Sequence, residues 1–143
     1  MAKIYAIISG KGGVGKTVTA INLGTALNYL GEDVIIVDAN LTTPNIGIHL
    51  GAPIVPVTLN HVLRNEARIE EAIYEHDSGT KIILASLSIK AVEKNDYENL
   101  PEIIEKLRKI TDFVILDSAA GLGEEAKSAI LASDEFLLFR SFQ

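Results

Sequence analysis

Apolar letters in the opening forty residues fall into two rhythms. Ile4, Tyr5, Ala6, Ile7 and Ile8 run almost unbroken within Lys3 to Ser9, the pattern of a parallel strand covered on both faces. From Lys16 to Leu30, the residues Ala20, Leu23, Leu27 and Leu30 recur at three- and four-residue steps, which predicts a helix with one apolar face. Gly24 on that side permits close approach to a sheet, and Gly31 stands where a helix C′ glycine belongs. Val34-Ile35-Ile36-Val37 reads as a second buried strand ending in Asp38. The opening third is therefore a βαβ unit with a right-handed crossover expected.

The same alternation continues. Asn40 to Leu50 reads as a loop with a short helical turn after Pro44, and Thr58 as the N-cap of a short helix through Leu63. Arg68 to Glu75 is expected to be another short helix or a connecting segment, and His76 to Thr80 a turn cluster. Ile82 to Ala85 is expected to form a third strand. Pro101 opens a helix through Lys109 that buries Ile103, Ile104 and Leu107. Phe113 to Leu116 is a fourth strand ending in Asp117. A helix from Glu124 to Ala132 and a fifth strand from Glu135 to Phe139 follow. Tyr5, Phe113 and Phe136 are expected in the core. Strand and helix in alternation, with no repeat, linker or low-complexity tract, predict one domain over residues 1–143. Its fold class is α/β: a doubly wound, mostly parallel sheet with helices on both faces.

Between the first strand and the first helix lies Gly10-Lys11-Gly12-Gly13-Val14-Gly15-Lys16-Thr17. This stretch matches G-x-x-x-x-G-K-[ST] completely, and its position lets loop and helix-start N–H groups converge on a phosphate. Gly10-x-Gly12-x-x-Gly15 also fits a dinucleotide fingerprint, with Asp38 at a suitable distance for a ribose contact. Lys16 and Thr17 decide between the two. They supply a cation for the β- and γ-phosphates and a hydroxyl for Mg²⁺, which a dinucleotide site does not need. The expected ligand is a triphosphate, bound by Gly10 through Thr17 and by Val18. Asp117, after four apolar residues, has the placement of a Walker B aspartate that holds Mg²⁺ through water; the plainer reading is a strand-end cap. Asp38 is expected to join the Mg²⁺ shell or to orient water, the alternative being a turn former.

Composition narrows the classes without changing this picture. The 143 residues suffice for one core burying roughly two thirds of the unfolded surface. With 13 basic and 19 acidic residues, the net charge of −6 argues against broad nucleic-acid binding. The absence of cysteine excludes disulfides and Cys-ligated zinc or iron–sulfur sites. His49, His61 and His76 lack metal-ligand spacing and read as surface or packed residues. No apolar run approaches membrane-spanning length, and the N-terminal apolar segment is too short for a signal peptide, so the expected location is the cytoplasm.

Lys11, inside the glycine loop, makes a resemblance specific. Gly10 to Thr17 resembles the deviant Walker A motif of the MinD/ParA family of ATPases. Val37-Asp38-Ala39-Asn40-Leu41-Thr42-Thr43-Pro44-Asn45 resembles that family's switch I, and Asp112 to Gly123 its Walker B and switch II. Ala120-Gly121-Leu122-Gly123 and Asn45-Ile46-Gly47-Ile48 point to the MinD branch, particularly archaeal members. The resemblance implies a P-loop NTPase fold, ATP and Mg²⁺ as ligands, and an ATP-dependent homodimer in which Lys11 crosses to the partner's phosphates. Lys11, Lys16, Asp38 and Asn40 are the implied catalytic residues, and a regulatory protein is the implied stimulator of hydrolysis. The implied role is cell-division site placement or intracellular positioning. An assembly module with negligible turnover and a ParA-like DNA-partitioning ATPase are the alternatives, the latter disfavoured by charge.

Two departures from the family pattern shape the expectations. Asn40 stands where the family has a second aspartate; asparagine orients water but takes no proton from it, so hydrolysis is expected to be weak or partner-dependent. Family members also continue well past the fifth strand, whereas Arg140-Ser141-Phe142-Gln143 ends this chain. The C-terminal part of the fold, including the adenine pocket, is expected to be missing or short, and the last strand to present an unpaired edge. Peripheral association with the inner face of a membrane is expected only if a C-terminal helix exists beyond this chain.

Overall fold

The computed structural model describes residues 2–12, 15–52, 54–87 and 94–140; Gly13 and Val14 of the glycine-rich loop lie outside the described residues. Strands β1 (Lys3–Ser9), β2 (Val34–Asp38), β3 (Ile73–Glu75), β4 (Lys81–Ile83), β5 (Phe113–Ala120) and β6 (Glu135–Phe139) form one sheet in the order β3-β4-β2-β5-β1-β6. All neighbours are parallel except β3 and β4. The helices are α1 (Lys16–Tyr29), α2 (Ile46–Leu50), α3 (Leu59–Leu63), α4 (Lys94–Glu98), α5 (Leu100–Glu105) and α6 (Glu124–Ala132).

Continuous apolar strands are needed because both faces of the sheet are covered. Ile7, Val34, Ile36 and Ile115 pack with Ala20 of α1 and Ile46 of α2 on one side. Ile4, Ile35, Val37, Val114 and Leu116 pack on the other with Leu59, Leu63, Ile103, Ile104 and Ala129. Successive strand residues point to opposite faces, so Ile35 and Ile36 serve different cores. The doubly wound α/β class follows from these two layers.

Gly24 brings α1 down onto this sheet: a Cβ there would lie 2.4 Å from Cδ1 and 2.5 Å from Cγ1 of Ile36. Gly31 ends the helix at φ +90°, in the left-handed region that glycine enters without steric penalty. At the outer end, Asp134 ties β6 to β1. Its N–H donates to the Ile4 carbonyl at 2.8 Å, its carboxylate accepts from Ile4 N–H at 2.9 Å, and Arg108 pairs with that carboxylate at 2.6 Å.

Several sequence expectations are corrected. The segment Arg68 to Glu75 is a 3₁₀ turn at Ile69–Ala72 followed by β3, so the sheet has six strands rather than five. The turn cluster at His76 to Thr80 folds β3 back antiparallel onto β4, a pairing no local periodicity signals. β4 is Lys81–Ile83 rather than Ile82 to Ala85. β5 continues past Asp117 to Ala120 because Ser9 still pairs there, after a register shift between Ile7 and Ser9. The single helix expected from Pro101 to Lys109 is α5 plus a 3₁₀ turn at Lys106–Lys109. Leu30 and Phe136 are 75% and 50% exposed rather than core. Leu30 lies past the end of α1, and Phe136 sits on the outermost strand. Tyr5 and Phe113 are half-buried and stack with ring centroids 6.4 Å apart.

Candidate active site

The carboxyl ends of β1, β2 and β5 meet at one place, because β5 lies between the other two. Ligands of open α/β sheets bind at this end. From β1 the chain enters the glycine loop; Gly15, at φ +83°, is the N-cap of α1 and places Lys16 and Thr17 on its first turn. Both are buried, Lys16 to 7% exposure and Thr17 to 8%. Lys16 Nζ donates to Asp117 Oδ1 at 2.7 Å and to the Ser118 carbonyl, and Thr17 Oγ1 donates to Asp117 Oδ2 at 2.7 Å. Both Asp117 oxygens are thus occupied by the loop's own cation and hydroxyl.

Asp38 lies directly across from Asp117 in the β2–β5 register, and both are fully buried. Its oxygens accept three backbone N–H groups: Asn40 at 3.1 Å, Asn45 at 3.0 Å and Ile46 at 3.1 Å. Burial raises its pKa from 3.8 to about 7, the Asp117 charge adds to the rise, and the Ile46, Asn40 and Asn45 hydrogen bonds oppose it. A raised folded-state pKa means that folding binds a proton at intermediate pH. The contribution is full below the ordinary carboxylate range and is lost as pH rises through about 7. Metal-free protein is therefore expected to lose stability between about pH 5 and about pH 7 with a slope that Asp38→Asn flattens, measured by urea denaturation. Parallel pH profiles for the two proteins would contradict this.

Asn40 is 3% exposed and folds onto Thr43: its Nδ2 lies 3.1 Å from Thr43 Oγ1, and its Oδ1 accepts Thr43 N–H at 3.1 Å. Ser9, Gly12, Gly15, Lys16, Thr17, Val18, Asn40, Thr43, Asn45, His49 and Ala120 line a cavity of about 340 Å³ over the glycine loop. Ser9 Oγ is buried here without a hydrogen-bond partner. Gly10 and Lys11 are exposed beside it, and among the described residues Lys11 has no hydrogen bond or ion pair.

The structure thus links Lys16 and Thr17 to Asp117, with Asp38 beside it on β2, and lines the cavity with Lys16, Thr17, Gly12, Gly15, Val18 and Asn40. It leaves Lys11 at the rim, and the expectations for Gly13 and Val14 lie outside the described residues. Sequence reasoning assigns no site role to Ser9, Ser118 or Thr43, and it reads His49 as a surface or packed residue. The i, i+4 spacing of Asn45 and His49 around a helical turn was the one available signal for His49. Glu125, in the first turn of α6, reaches back to the loop after β2, accepting hydrogen bonds from Thr42 and Tyr97. Burial and Glu125 push the Tyr97 hydroxyl up to about 12, which keeps it a donor.

The donor set suits Mg²⁺. Hard oxygen ligands from Thr17, Asp117 and Asp38 stand close to a phosphate-sized space, and Mg²⁺ typically takes one or two carboxylates together with substrate phosphates. Among the described residues no group of three His, Cys, Asp or Glu forms an all-protein cage. The orphaned Ser9 hydroxyl is a further polar group awaiting a ligand.

Fold and site together define a P-loop nucleotide-binding protein. Residues 2–142 match the family model described as AAA domain, and the chain belongs to this family of MinD/ParA-type P-loop ATPases. An uncharacterised ATP-binding protein of Methanocaldococcus jannaschii is 37% identical over 135 residues, 94% of this chain and 51% of that protein. The cell division ATPase MinD of Pyrococcus furiosus superposes with a TM-score of 0.91 at 40% identity, covering 97% of this chain and 59% of that one. MinD of Pyrococcus horikoshii, solved with Mg-ADP, gives a TM-score of 0.91 at 39% identity, over 97% and 58% of the two chains. The chain spans about half the length of the curated relatives it matches. No helix among the described residues is long and apolar enough to cross a membrane.

Proposed function

We propose that this domain is a Mg²⁺-dependent, ATP-binding and ATP-hydrolysing dimerisation switch acting in cell-division site placement or intracellular positioning. The observation that carries the reading is the Lys16–Asp117–Thr17 cluster at the mouth of the glycine loop. Without nucleotide, Lys16 neutralises Asp117. With a triphosphate bound, Lys16 would pair with its phosphates, and Thr17, Asp117 and the neighbouring Asp38 would be left to hold Mg²⁺. Bound there, Mg²⁺ supplies charge neutralisation on the phosphates. Gly10 to Gly12 and Gly15 to Val18 are the described part of the cradle that the sequence motif assigns to the phosphates. Lys11, exposed and unpartnered among the described residues, suits a role between subunits: two triphosphates facing each other repel unless cations stand between them. Hydrolysis then removes the anchoring phosphate and releases the pair.

The second reading, an assembly module with negligible turnover, is favoured by Asn40, which takes no proton and is held by Thr43. Mass in solution and phosphate release, measured with ATP and Mg²⁺, separate the two. The first reading expects the native chain to double in mass and release phosphate slowly, Lys11→Ala to bind ATP but stay monomeric, and Lys16→Ala to do neither. A dimer without phosphate release supports the second reading. If ATP neither binds nor changes the mass, both fail.

A further inference from the structure

The phosphate cavity is lined by an imidazole that the switch does not use. When water attacks a phosphoryl group, a side chain positioned to take its proton contributes typically about 10²–10⁴-fold in rate. Few residues at this cavity qualify. Lys16 has only hydrogens to give, Thr17 already donates to Asp117, and the amide of Asn40 is closed on Thr43. Asp38 does not line the cavity, and its oxygens face three N–H groups. His49, on α2, lines it with an exposed ring.

Geometry determines which ring nitrogen is available. His49 Nδ1 lies 3.0 Å from the Asn45 carbonyl oxygen. A carbonyl only accepts, so Nδ1 carries the hydrogen, and in the neutral ring Nε2 is left as the acceptor. The peptide group that receives this bond is also held from the other side, since its N–H, on Ile46, donates to Asp38 Oδ2 at 3.1 Å. One peptide unit therefore links the Asp38 carboxylate to the His49 imidazole. Hydrogen bonds in such a chain polarise one another. The chain fixes the orientation of the ring and leaves Nε2 as its free acceptor.

From this arrangement we infer that His49 Nε2 takes the proton of the water that attacks the terminal phosphorus, in the place where Asn40 has no basic group to offer. The inference rests on the ATP-hydrolysing reading above. The water oxygen bonds to the γ-phosphorus as the bond from that phosphorus to the β–γ bridging oxygen breaks. ADP leaves with that electron pair, the water proton passes to Nε2, and the products are ADP, hydrogen phosphate and an imidazolium that returns its proton to solvent. The exposure of the ring at the cavity rim provides that return path.

The test uses the 143-residue chain, with a non-hydrolysable ATP analogue and Mg²⁺ for binding and ATP for turnover. His49→Ala is expected to keep analogue affinity within about threefold while turnover falls by about tenfold or more. Free imidazole, or Asn40→Asp in the same chain, is expected to restore part of the rate. Independently of activity, the analogue is expected to shift the His49 ring signals in NMR and leave those of His61 and His76 in place. Native turnover in His49→Ala, an affinity loss that matches the rate loss, or an unmoved His49 signal would each overturn the assignment. A native chain that binds the analogue but releases no phosphate from ATP also overturns it and leaves nucleotide binding standing. A native chain that binds no analogue removes both readings together.

Discussion

Replacing Lys16 by Met is expected to destabilise the nucleotide-free protein by about 3–5 kcal/mol, the cost of removing one partner from a buried ion pair. The Lys16 ammonium stands between the loop and β5, with Asp117 at 2.7 Å and the Ser118 carbonyl also accepting a hydrogen bond from it. Its removal leaves Asp117 buried next to Asp38, which is also fully buried on the adjoining strand. Two carboxylates in that position repel, and neither has water to screen it. The pair can lower the cost by sharing a proton, so the loss is expected to be smaller in mild acid than at pH 8. Urea denaturation measures it, and Lys16→Met combined with Asp117→Asn is expected to recover much of it, because the amide carries no charge to strand. A single-variant cost below about 1 kcal/mol would place the pair among solvent-screened ion pairs and contradict its burial.

The second large effect sits on α1. Gly24→Val is expected to cost about 3 kcal/mol or more, since its Cβ would fall inside the van der Waals shell of two Ile36 atoms that are themselves fully buried. A β-branched side chain also restricts its own rotamers against the preceding helical turn. Gly24→Ala is the milder case, because its helix-propensity gain of about 1 kcal/mol offsets part of the overpacking. The contact predicts coupling: Gly24→Ala with Ile36→Ala should lose less stability than the two single losses added together. Strict additivity would show that the helix moves away rather than pressing on the strand. Because α1 carries Lys16 and Thr17 on its first turn, a helix lifted at Gly24 should also weaken nucleotide binding.

Both variants touch residues legible in the chain alone, for different reasons. The unbroken apolar run before Gly10, the three- and four-residue steps after Lys16, and the complete glycine-lysine-threonine pattern between them are local signals. Each reports what its own backbone does, and together they specified the strand, the phosphate loop and the helix. Gly24 was likewise visible as a gap on an apolar helix face. Asp38 and Asp117 were visible as polar ends of apolar runs, although their closeness was not.

Sheet order decided the rest. The unit formed by β1, α1 and β2 could be read in sequence, but β5 inserts between β1 and β2 from some seventy-five residues downstream. That insertion sets Asp38 against Asp117, raises the Asp38 pKa and gives Lys16 its buried partner. Three-residue β3 escaped notice because its stability comes from cross-strand pairing with β4, not from its own pattern. His49 lacked metal-ligand spacing and looked like a surface residue; only the backbone turn held by Asp38 brings its ring to the phosphate cavity. Sequence by itself therefore determined the phosphate loop and the elements that present it, because periodicity and glycine placement act within a few residues. Tertiary structure alone decided which charges meet, because that depends on strands distant in the chain becoming neighbours in the sheet.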